Sequence, residues 1–76
     1  MSKAAEQITR IEALFNKVPH TYENASRWRE LTLNLAIFDG LVNTPAYKKG
    51  AIECIEVVLK HYPNDEQAKE ISDALN

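Results

Sequence analysis

The segment from Asn24 to Asn43 constrains this chain more than any other, because it carries two separate apolar stripes. Trp28, Leu31, Leu35, Phe38 and Val42 follow alternating spacings of three and four residues, which on a helix of 100° per residue confines them to an arc of about 80°. Leu33, Ile37 and Leu41 form a second stripe centred roughly 140° away on the same wheel. A helix apolar on two sides is driven to cover both. In a chain of 76 residues few other elements are available to do so. The Trp28 stripe is longer and holds two large rings, so it is expected to face the core. The Leu33, Ile37 and Leu41 stripe is expected to form a protein interface, against a second copy of the chain or another partner. The alternative is a monomer whose remaining segments wrap this helix completely.

The flanking segments also read as helices. Ala4, Ile8, Ile11, Phe15 and Val18, widened by Leu14, make one stripe on a helix over about 3–17, with Ser2 as its cap and Pro19 as its stop. Asn24 is expected to cap the second helix, over about 25–42, with Gly40 in its last turn and Asn43 as its stop. Thr44 followed by Pro45 is a capping hydroxyl and then a proline at the first helical position, which starts a third helix over 45–61. Its inner side is read from Ile52, Ile55, Leu59 and Tyr62, widened by Tyr47, Ala51 and Val58. Pro63 ends it, and Asn64 is expected to cap a short fourth helix over 65–75 that turns Ala68, Ile71 and Leu75 inward. Gly50 lies well inside the third helix. It is either a tolerated residue costing about 1 kcal/mol relative to alanine or the mark of a close crossing, against Gly40 or Ala36. No stretch alternates with period two for long enough to make a strand. The expected fold is all-α, a single domain over 1–76 built as a small bundle of three main antiparallel helices plus a short C-terminal fourth.

A faint internal echo relates IEALFNKVPHTYENA, from Ile11 to Ala25, to IEVVLKHYPNDEQA, from Ile55 to Ala68. The stretch AIECIEVVLKHYPNDEQAKE, residues 51–70, resembles the latter half of a tetratricopeptide-type repeat. The 34-residue period of that family is not repeated here. Each echoing segment is an apolar helix end, a proline and a capped restart, which is common helix-stop chemistry.

The inventory leaves little room for catalysis. Two histidines and one cysteine fit no metal-ligand spacing, and two glycines cannot build a phosphate-binding loop. His20 and His61 both fall at helix ends, where an imidazole meets a free carbonyl or the negative end of the helix dipole. Cys54 falls on an apolar helix face, as an inert small hydrophobe does. Glu53 with Glu56, and Glu66 with Glu70, sit at helical spacings on faces that should be solvated, whereas a paired acid and base usually need one carboxylate held dry. Asp39 lies at the edge of the inner stripe of the second helix, either marking a solvated boundary or pairing across an interface. The chain is therefore read as no enzyme, with no cofactor and no metal. Nine basic residues against eleven acidic ones give a net charge of -2, so duplex nucleic acid is not expected as a partner. A third helix opening with Tyr47, Lys48 and Lys49 but continuing with Glu53 and Glu56 is poorly suited to enter a groove. No apolar run reaches the length of a membrane span, and the opening MSKAAEQITRIE lacks a leader's apolar core, so no membrane partner and a cytoplasmic setting are expected.

One electrostatic feature remains. An up-and-down arrangement gathers Lys17, His20, Arg27, Arg29, Lys60 and His61 at one pole, with Tyr22 and Tyr62 among them. Arginines early in a helix are opposed by its dipole and call for another reason. Three readings follow: a grip on a small anionic or nucleotide-like ligand, contact with an acidic protein partner, or a solvated pole with local pairs of Arg27 or Arg29 with Glu23 or Glu30. The function expected from these residues is that of a non-enzymatic small interaction protein, an adaptor or inhibitor, which self-associates as a dimer or larger. The alternative is a binder of a small anionic ligand at the basic pole, its site shared between subunits.

Overall fold

The computed structural model describes residues 3–37 and 45–76, with side chains described over 6–34 and 45–76. Among them are four helices and no strand: α1 (Lys3–Phe15), α2 (Tyr22–Ile37), α3 (Pro45–His61) and α4 (Glu66–Leu75). They pack on one another as a small all-α bundle. None is long and apolar enough to cross a membrane. The expected roles of Ser2, Phe38, Asp39, Gly40, Leu41, Val42, Asn43 and Thr44 fall outside the described residues.

The ends of the helices follow from local hydrogen bonding. Helix α1 stops two residues before the expected Lys17 because the Lys17 and Val18 amides donate three residues back, to Leu14 and Phe15 at 3.1 Å each, and tighten the chain ahead of Pro19. Helix α2 begins three residues earlier than expected. Its cap is Thr21, whose Oγ1 accepts from the Asn24 amide at 3.2 Å, while the Thr21 carbonyl accepts from Ala25 at 2.9 Å. Asn24 is thus not the cap but a buried residue of the first turn, and its Nδ2 donates to the Pro19 carbonyl at 2.9 Å. Helix α3 has the expected bounds. The cap of α4 is Asp65 and not Asn64: its Oδ1 accepts from the Ala68 amide at 2.9 Å, and a carboxylate also suits the positive end of the helix dipole.

Helix α3 is the centre of the bundle, packing against all three others, while α1 and α2 touch only lightly. Its buried residues Tyr47, Gly50, Ala51, Cys54, Ile55, Val57 and Val58 spread over an arc of about 160°. Of the inner side read from the sequence, Tyr47, Ala51, Ile55 and Val58 are buried and Leu59 packs half-buried against the core, while Ile52 is only half-buried and Tyr62 stays 42% exposed; Gly50, Cys54 and Val57 also face inward. Small side chains let neighbouring helices come close. A Cβ added at Gly50 would lie 3.4 Å from both the Cα and the Cδ1 of Leu31. The glycine therefore marks a close α2–α3 crossing, with Leu31 as the neighbour.

Helices α2 and α3 run antiparallel, as the Asn34 Nδ2 donating to the Ala46 carbonyl at 3.3 Å requires of the end of one and the start of the other. Ile11, Leu14, Phe15 and Val18 fill the core from the α1 side, and Ala68 and Ile71 from the α4 side. Phe15 stacks on Trp28 with ring centroids 5.8 Å apart and planes 22° from parallel. Two ion pairs join the first part of the chain to the last, Arg10 of α1 with Glu70 at 3.2 Å and Lys17, just past α1, with Asp65 at 3.6 Å.

Candidate functional site

The two sides of α2 have opposite surroundings. Leu31 is completely buried and Trp28 is half-buried against the core, which is where the longer stripe was expected. Two residues beyond Leu31, Leu33 is 56% exposed. The Ile37 side chain and all of Leu41 lie outside the described part of the chain, so Leu33 is the one described member of the second stripe.

Tyr22 joins Leu33 on this outer side and is 92% exposed. Eleven residues make just over three whole helical turns, so the two point the same way about 16 Å apart along the axis. Ser26 and Arg29 fall between them, all four within an arc of about 60°. Tyr22, Ala25, Ser26 and Arg29 line a shallow surface recess. Arg29 and Glu30 are exposed, and neither takes part in an ion pair among the described residues. The sequence reading placed Tyr22 at the basic pole, in a loop. The missed signal was Thr21: a threonine cap there puts Tyr22 in the first turn and on the wheel with Leu33.

The basic pole is partly neutralised. Lys17 pairs with Asp65, and its carbonyl accepts from the Tyr62 hydroxyl at 2.8 Å, which ties the end of α1 to the α3–α4 turn. The Ala68 amide, opposed by burial and helped by Lys17, holds the Asp65 carboxyl below the usual carboxylate range. Arg27 pairs with Glu23 one turn away at 3.1 Å, as the solvated reading anticipated for one of the two arginines. His20 and Lys60 are exposed. His61 borders a second recess with Tyr62, Pro63, Asn64 and Asp65. That recess is lined by neither arginine, and the recess on α2 is lined by neither histidine.

The chemistry of the remaining candidates is quiet. Cys54 is fully buried, and burial first, then Glu53, pushes its thiol up to about 12, so it stays protonated at neutral pH. Burial also pushes the Tyr47 hydroxyl up. Glu56 and Glu66 are exposed, Glu53 is half-exposed, and Glu70 is engaged by Arg10. No cluster of histidine, cysteine and carboxylate side chains among the described residues could hold a metal ion. Compared with known proteins, the chain has no significant match to a protein-family model, to a curated protein or to a solved structure.

Proposed function

We propose that the protein is a non-enzymatic interaction protein, an adaptor or inhibitor, that acts through the outer face of α2 and self-associates there. The observation that carries this reading is the contrast along one helix between Leu31, fully buried, and Leu33, 56% exposed. A mid-helix leucine contributes most when its apolar surface leaves water, and nothing among the described residues covers it. The exposed Tyr22 on the same side supports the reading, since tyrosines are enriched at the buried centres of interfaces. The rival, a small-anion binder at the basic pole, is less well supported because Lys17 and Arg27 are already paired with carboxylates.

The native mass of the full chain, followed by light scattering over a concentration series, tests the proposal. The expected result is a mass rising above 8.6 kDa with concentration, and a folded monomer for Leu33→Asp. A wild-type chain that stays monomeric at every concentration sinks the self-association. Retained association in Leu33→Asp moves the contact to another face.

A further inference from the structure

We draw no further inference here: the strongest candidate, the exposed outer face of α2 from Tyr22 to Leu33 with its shallow recess at Ser26 and Arg29, belongs to the contact already proposed, and nothing among the described residues shows what covers it.

Discussion

Helices α2 and α3 are nearly equal in length, 16 and 17 residues, yet they stand in opposite relations to the core. Helix α3 is gripped by all three other helices, and its inward arc includes Gly50, Ala51 and Cys54. Helix α2 offers a large ring and large aliphatic groups, yet among its described residues the apolar burial is on one side only, with Leu33 and Tyr22 left in water. The inward arc of α3 mixes sizes: Tyr47, Ile55, Val57 and Val58 fill the core, while Gly50 lets Leu31 of α2 come close. The two helices differ in how many neighbours each packs against, which apolar content alone does not rank.

That contrast can be broken most directly by cutting back the two leucines that stand on either side of α2. Leu31→Ala should cost about 2–5 kcal/mol of stability in denaturant unfolding, the usual range for emptying a packed leucine site. Leu33→Ala, measured in the same way at a concentration where the chain is monomeric, should stay within about 0.5 kcal/mol. Equal losses at the two positions would remove the distinction between the faces.

A second, intermediate effect is expected at the α2–α3 crossing. Gly50→Leu has to displace Leu31 and should cost about 1–3 kcal/mol, as overpacked cores do. Gly50→Ala meets only ordinary contact distance and gains up to about 1 kcal/mol in helix propensity, so it should be neutral or slightly stabilising. A severe loss for alanine would mean that the helices cross more tightly than 3.4 Å allows.

The smallest effect concerns the turn into α4. The Asp65 carboxyl is held below its ordinary value by the Ala68 amide, with Lys17 adding to this. Folding therefore favours the ionised form. The contribution is fully present above the unfolded carboxyl's pKa of about 3.9 and is lost as pH falls through the lower folded value. Asp65→Asn keeps a capping oxygen but has no charge to titrate. The gap in stability between wild type and Asp65→Asn should therefore be constant near neutral pH and narrow in acid. A gap independent of pH would show that Lys17 and the helix dipole add nothing to the neutral hydrogen bond.

Much of the fold was legible in the sequence for identifiable reasons. Helix α3 has its expected bounds because Pro45 and Pro63 punctuate both ends, and proline acts through its own ring whatever surrounds it. The start of α2 was harder, because Thr21 and Asn24 are both good caps three residues apart. The hydroxyl of the first took the amide of the second, which left Asn24 to hold the Pro19 carbonyl instead. Of the proposed contact face, Leu33 was legible from periodicity, whereas Tyr22 entered it only through that earlier helix start.

The sequence by itself determined that the chain is helical, where most of its helices begin and end, and that Leu31 and Leu33 belong on opposite sides of one of them. These are consequences of local backbone chemistry and of 3.6 residues per turn. Tertiary structure decided which helix became the centre, that Leu31 is the neighbour Gly50 makes room for, and that Lys17 and Arg27 are held by Asp65 and Glu23. Those outcomes depend on how closely axes approach and on which side chains meet across segments, and no single segment contains that information.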